Sequence, residues 1–237
     1  MNQGRISELI TGALASEVCP DLRFAPPTPA EIHRYLGYPP DATPAGRIEQ
    51  RISRIVKEAL PCLRPRGAYS LYAVSKRTAR SLKLDATTIS GNIGEFLAHA
   101  GRAAVFVVTV GEEISGLAES AAKKGDAFAA LVLDATGSWA AESAADALMA
   151  RIRRHLKDQE EMTLRYSPGH CGMEMTQQRK LFQIMQAGSV GVRLLPSLLM
   201  HPLKSISGIV GLAPKETIDS HHSPCDLCPQ VGCHMRR

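Results

Sequence analysis

The sequence predicts an α+β fold, and three observations carry that expectation. The stretches 69–74 and 103–110 read as strands, and the second is continuously apolar, as a central strand buried on both faces should be. Several helical patterns lie around them, with apolar residues three and four apart. The strands are irregularly spaced among the helices, which fits α+β rather than alternating β-α-β units. A cysteine-rich tail follows at the C-terminus.

The elements follow in order. Residues 5–18 place Ile6, Ile10, Leu14 and Val18 at helical spacing, so a first helix is expected there. Arg23 to Pro29 is a proline-rich connector. Thr28-Pro29-Ala30-Glu31 reads as a helix start, with Thr28 as N-cap, Pro29 at the first position and Glu31 closing a capping box; Gly37 ends that helix. Thr43-Pro44 opens another helix, with Ile48, Ile52, Ile55 and Val56 on one face and Pro61 closing it. Ser90-Gly91-Asn92-Ile93-Gly94 is a structural turn ahead of a helix. After the strand at 103–110 a helix is expected at about 111–124, then an alanine-rich helix or helix pair over about 126–157. Thr176 to Gln186 reads as helix, and short strands are expected near 192–195 and 205–212. The implied organisation is an N-terminal helix and linker (1–28), a main domain (29–215) and the cysteine-rich tail (216–237).

Composition narrows the function classes. With 237 residues, 44% hydrophobic and 22% charged, the chain can bury a core without disulfides. Aromatics at 5% leave little for base stacking, and the net charge of +5 alone does not make a nucleic-acid binder. The basic run Arg151, Arg153, Arg154, His155, Lys157 reads as a solvated helix end. No leader or membrane span is read, so a cytoplasmic location is expected, where six cysteines are thiols or ligands rather than disulfides. Cys19 and Cys62 read as buried or incidental. Neither a dinucleotide fingerprint nor a phosphate loop is present, and the hydrolase and metalloprotease motifs are missing too.

Two segments carry chemistry. Cys225-x2-Cys228-x4-Cys233 puts three thiolates within nine residues, with Pro224, Pro229 and Gly232 bending the chain. That spacing suits a zinc ion or an iron–sulfur cluster completed by a fourth ligand, for which Cys171 is the candidate and His221, His222 and His234 are alternatives. The second segment is Arg165-Tyr-Ser-Pro-Gly-His-Cys-Gly172. Pro168-Gly169 marks a turn, Gly169 and Gly172 let a ligand approach the backbone, and Arg165 offers a forked donor for a carboxylate.

Arg165-x-x-x-Gly169-His170 resembles the R-x-x-x-G-Y signature of the activation domain of cobalamin-dependent methionine synthase. The likeness continues through Thr176–Phe182, through Gly191–Met200 (beside the family's GMKLTESFAMWP), through His201–Gly208 (beside its GASVSG), and upstream through Glu142–Leu148 (beside its ADRLAEA). Glu31–Tyr38 and Leu133–Ser138 are similar to free-standing versions of the domain in anaerobic bacteria. The resemblance implies a mainly antiparallel, twisted sheet flanked by helices. It also implies binding of S-adenosylmethionine and support for the reductive methylation of cob(II)alamin held by a separate corrinoid protein or cobalamin-dependent methyltransferase. By it, Arg165 pairs with the ligand's carboxylate, backbone near Ser167 and Gly169 lines the ligand, and His170 packs against it or faces cobalamin. A tail cluster would relay the electron, whereas zinc would only staple the tail. The implied activity is a methyltransferase component; the alternative is a non-catalytic adaptor docking on a corrinoid methyltransferase. Four departures stand out. His170 replaces the signature's tyrosine, the paired tyrosines after the last strand have no match around Ala213–Ile218, the helix's acidic residue falls near Ala150, leaving Asp134 or Glu142 to substitute, and the cysteine-rich tail is absent from methionine synthase itself.

Overall fold

The computed structural model describes residues 12–39, 41–170 and 172–218. Its centre is an antiparallel sheet of seven strands: β1 (Ala15–Cys19), β2 (Arg66–Thr78), β3 (Ser81–Leu84), β4 (Thr87–Ser90), β5 (Arg102–Thr109), β6 (Glu160–Met162) and, after the two-stranded ribbon β7 (Arg193–Leu194) with β8 (Met200–His201), β9 (Ser205–Pro214). The order is β4-β3-β2-β5-β9-β6, with β1 also on β2. The long strand β2 serves β1 along Gly67–Leu71 and β3 beyond Val74.

Both faces of the sheet are covered, which explains the unbroken apolar run of β5. Ala104, Phe106 and Val108 join the core on one face, while Ala103, Val105 and Val107 join the core on the other. On the first face lie α1 (Pro29–Tyr35), α2 (Gly46–Ala59), α4 (Glu113–Lys123) and the 26-residue α5 (Ala127–Ile152). On the second lie the short α3 (Ile93–Phe96) and α6 (Gln178–Ile184). The helix α5 crosses the sheet, and alanines at 140, 144 and 145 let it approach closely. Its N-cap is Asp126, whose side chain accepts from the Ala129 amide and pairs with Arg51.

The start of α1 is as expected: Thr28 and Glu31 form the capping box and Pro29 opens the helix. The helix α2 begins at Gly46, two residues inside the expected start, and of its apolar face Ile48 stays exposed while Ile52, Ile55 and Val56 are buried. The alanine-rich region is one helix rather than two, ending in a 3-10 turn. The last strand runs to Pro214, longer than expected.

The expected N-terminal helix is corrected where it can be seen. Residues 15–19 are the strand β1, because Ala15 to Cys19 pair residue by residue with Leu71 to Gly67. Ser16, Glu17 and Val18 suit an extended chain, and backbone pairing outweighs the helical spacing of Leu14 and Val18. The basic run lies at the end of α5 with Arg151, Arg153, Arg154 and Lys157 exposed, as expected of a solvated helix end; in addition Arg153 pairs with Glu161, Arg151 and Arg154 lie 3.8 Å from Glu17, and His155 Nε2 lies 2.7 Å from the Tyr69 hydroxyl, which ties this end to β1, β2 and β6. Cys19 is buried, and burial beside Glu17 pushes its thiol up to about 12, which makes it an inert core residue.

Paired carboxylates close the β6 end of the sheet. The amide of Met162 and the guanidinium of Arg153 hold the Glu161 carboxyl below its ordinary range. For Glu160 burial pushes upward most, but the Lys157 amide and Arg102 together outweigh it, so its carboxyl is also held low. The unfolded chain therefore binds more protons as acid is added. The stability these groups supply is complete above the ordinary carboxylate range, roughly pH 4.5, and is lost as pH falls through their lowered values. Melting temperature should be level from neutral pH to about pH 5 and then fall. Glu160→Gln with Glu161→Gln should flatten that acid limb; an acid limb of unchanged slope in the double variant would contradict the assignment.

Candidate functional site

After β6 the chain runs beside β9 once more. The Thr163 amide donates to Gly211, and Tyr166 exchanges both backbone hydrogen bonds with Ile209 at 2.9 Å. The Tyr166 side chain is fully buried against the second core and stacks on Phe96, with ring centres 5.1 Å apart. Because neighbours in an extended chain point to opposite faces, Arg165 and Ser167 both face α5. Tyr166 is thus the pin that presents them. Gly208 supplies the room: a Cβ there would lie 2.9 Å from both Ser167 Oγ and the Tyr166 carbonyl oxygen.

Arg165 is held from α5. Its Nη2 donates to Glu142 Oε2 at 2.7 Å and lies 3.2 Å from Asp146 Oδ1, while Nη1 is buried and has no hydrogen-bond partner among the described residues. A buried guanidinium nitrogen without an acceptor is costly, and it is where a ligand carboxylate is most strongly favoured. Four residues further on, the turn closes tightly. The His170 amide donates to Ser167 O (3.1 Å), the Gly169 amide to Met173 O (2.8 Å) and the Met173 amide to His170 O (2.9 Å). Gly169 has φ +89°, a conformation that favours glycine, and His170 is exposed beside it.

The expected ligand-binding residues Arg165, Ser167, Gly169 and His170 therefore lie on one segment, its start pinned to β9 and its end curled into a surface turn. The outer edge of β9 is covered by β6 at Leu212–Pro214 and by Tyr166 at Ile209; among the described residues no strand covers Ser205–Gly208 on that side. The candidate binding notch is where this edge, Arg165 and α5 meet. Two concavities of about 490 and 580 Å³ lie elsewhere, the first against α3 and β6, the second between β1 and α5. Neither includes Arg165.

The expected metal ligands Cys171, Cys225, Cys228 and Cys233, and the alternatives His221, His222 and His234, lie outside the described residues. Among the described residues no group of three or more His, Cys, Asp or Glu could hold a metal ion. No described helix is long and apolar enough to cross a membrane.

Several site residues escaped the sequence reading. Asp134 and Glu142 entered it only as substitutes for a missing acid. In the structure Glu142 and Asp146 grip Arg165, while Asp134 and Ser138 grip Lys204. The spacing 134, 138, 142, 146 is a run of i, i+4 steps along one helix face, a signal that was available. The contact of Gly208 with Ser167 and Tyr166 joins distant segments, which no local pattern reveals.

The model of the vitamin B12-dependent methionine synthase activation domain family matches residues 96–218, just over half of the chain. A solved structure described as "Crystal Structure of the MetH Reactivation Domain bound to AdoHcy" matches with a TM-score of 0.61 at 17% identity, covering 90% of this chain and 82% of that one. At that identity the likeness speaks for the fold alone. No curated protein sequence matches.

Proposed function

This chain belongs to the vitamin B12-dependent methionine synthase activation domain family, and we propose that it binds S-adenosylmethionine at the Arg165 notch and supports reductive methylation of cob(II)alamin presented by a separate corrinoid protein or by methionine synthase. The observation that carries this reading is the half-satisfied fork of Arg165. Nη2 is held by acidic side chains from α5, and Nη1 is buried without an acceptor among the described residues. A ligand carboxylate would complete the fork by displacing the weaker partner, Asp146, which is 75% exposed. The freed Asp146 carboxylate would then face the ligand's ammonium and sulfonium charges.

The donor's sulfonium methyl is already electrophilic and reduced cobalamin is strongly nucleophilic, so positioning is most of the protein's share. Nothing in the transfer requires a general base. His170 stands at the exposed turn, where it would pack against the ligand or the incoming cobalamin. The neighbouring structure is described as bound to AdoHcy, the demethylated form of the same ligand, which supports this reading.

The test is calorimetric titration of anaerobically purified protein with S-adenosylmethionine. Saturable binding is expected. No heat and no saturation from a folded protein would sink the proposal and favour the adaptor, whose docking needs no such ligand.

We further propose that residues 216–237 form an appended tail in which Cys225, Cys228 and Cys233, with Cys171, hold an iron–sulfur cluster or zinc. Three thiolates at this spacing are a donor set for either. A cluster would supply the electron; zinc would be structural. Iron, sulfide and zinc quantitation of anaerobic protein should give near-stoichiometric metal. Loss of that metal in Cys225→Ser with Cys228→Ser is expected, and metal-free wild type would refute the site.

A further inference from the structure

The concavity of about 490 Å³ lies between α3 and the β6 edge. Its floor is apolar: Phe96, Leu97, Ala100, Met162 and Ala213 line it and are buried. Leu164 lines it too and is 52% exposed, an apolar side chain that the described residues leave in water. A hollow of this size and lining is suited to enclose apolar groups.

The chain itself leads into the hollow. After β9 ends at Pro214, the 3-10 turn Lys215–Thr217 bends the backbone. The Lys215 amide donates to Gln159 O at 2.7 Å, and the Ile218 amide donates to Lys215 O at 3.2 Å. Ala213, Thr217 and Ile218 all line the concavity, and Ile218 packs against the second core. The last described residue therefore stands inside the hollow and not beyond its mouth.

The sequence that follows suits such a seat. Residues 219–223 are polar or charged, and the stretch Pro224–Met235 then carries Leu227, Val231 and Met235. Fully extended, residues 219–224 reach about 20 Å at most, so the apolar stretch begins within reach of the floor. A segment tethered this closely is presented at about millimolar effective concentration, which an untethered partner has to exceed. We propose that Pro224–Met235 folds back into this concavity, with Leu227 and Val231 against its apolar floor.

The seat would join the tail to the candidate site. Phe96 stacks on Tyr166, with ring centres 5.1 Å apart, and Tyr166 presents Arg165 and Ser167. One helical turn before Phe96 stands Asn92, whose carbonyl accepts from the Phe96 amide at 2.9 Å and whose side chain faces Gly172. A tail seated here brings its thiols to the side of the sheet where the Gly169–Gly172 turn lies. The seat requires neither a ligand in the notch nor a metal in the tail, so it can fail while the proposed function stands.

The test is photocrosslinking of the full chain with p-benzoylphenylalanine placed at Leu164, at His99 or, as a control, at Leu131. His99 is an exposed residue of the lining. Leu131 is 53% exposed and lies about 30 Å along α5 from Arg153, which lines the concavity. Irradiation should join positions 164 and 99 to residues 224–235 of the same chain, with little capture from position 131. Leu227→Asp with Val231→Asp should lower that intramolecular yield by roughly tenfold, because a carboxylate does not enter an apolar floor unpaired. No tail adduct from positions 164 and 99, equal capture from position 131, links formed chiefly between two copies, or a yield unchanged in the double variant would each overturn the seat.

Discussion

Arg165→Ala is expected to weaken S-adenosylmethionine binding by about a hundredfold or more while barely changing the melting temperature. The two effects separate because the arginine's partners differ in exposure. Glu142 is 37% exposed and Asp146 is 75% exposed, so both regain water when the guanidinium is removed. With the acids in contact with water, such half-buried pairs are worth about 1 kcal/mol each. A bound carboxylate facing Arg165 has no such recourse. Truncating one partner of a desolvated charge pair costs about 2–5 kcal/mol, and each 1.4 kcal/mol is a factor of ten. Arg165→Lys should fall between, because it keeps the charge and loses the fork. Calorimetry gives the affinity and thermal denaturation the stability. Wild-type affinity in Arg165→Ala would remove the ligand from the notch. A large drop in melting temperature would instead make the arginine a structural strut.

Parts of the fold were legible because their causes are local. Thr28, Pro29 and Glu31 specify a helix start within four residues, and the structure has that capping box. The apolar run of β5 identified a strand buried on both faces. What failed was decided by pairing at a distance. Ala15–Cys19 is a strand only because Gly67–Leu71 lies beside it. The hairpin of β3 and β4 went unread because its short strands alternate Leu82 and Leu84 with Ser81 and Lys83, a pattern too brief to stand out. The site divides the same way. Arg165 and Gly169 were readable as a motif, whereas Gly208 and the hold of Glu142 on Arg165 depend on strand and helix meeting.

The turn at Ser90–Gly94 was read as purely structural, and its placement makes it part of the site's support. Gly91 has φ +125°, and a Cβ there would lie 2.7 Å from the Gly172 carbonyl oxygen and 2.9 Å from Met173 Cα. Gly172, at φ +87°, faces back: its own Cβ would lie 2.7 Å from Asn92 Nδ2. The Ser90 amide also donates to Gln177 Oε1 at 2.9 Å, just beyond the turn. Two glycine-bearing turns therefore meet backbone to backbone, and one of them is the turn that carries Gly169 and His170. Gly91→Ala must adopt a strained conformation and push against main chain, which cannot swing aside as a side chain can. Strain of about 1–3 kcal/mol and overpacking of about 1–3 kcal/mol together predict a loss of roughly 2–6 kcal/mol. At about 2–4 °C per kcal/mol for a chain of this size, that is a fall of roughly 4–24 °C in melting temperature. Ligand affinity, measured well below the transition, should fall as well, because Gly172 and Met173 would be displaced. Gly172→Ala should cost less, because its added Cβ meets the Asn92 side chain, which can swing aside, and leaves mainly the strain of φ +87°; the double variant should cost less than the sum, since both disturb one contact. If Gly91→Ala melts like wild type and binds like it, the two turns do not bear on one another. If it melts early yet binds normally, the buttress supports the fold and not the site.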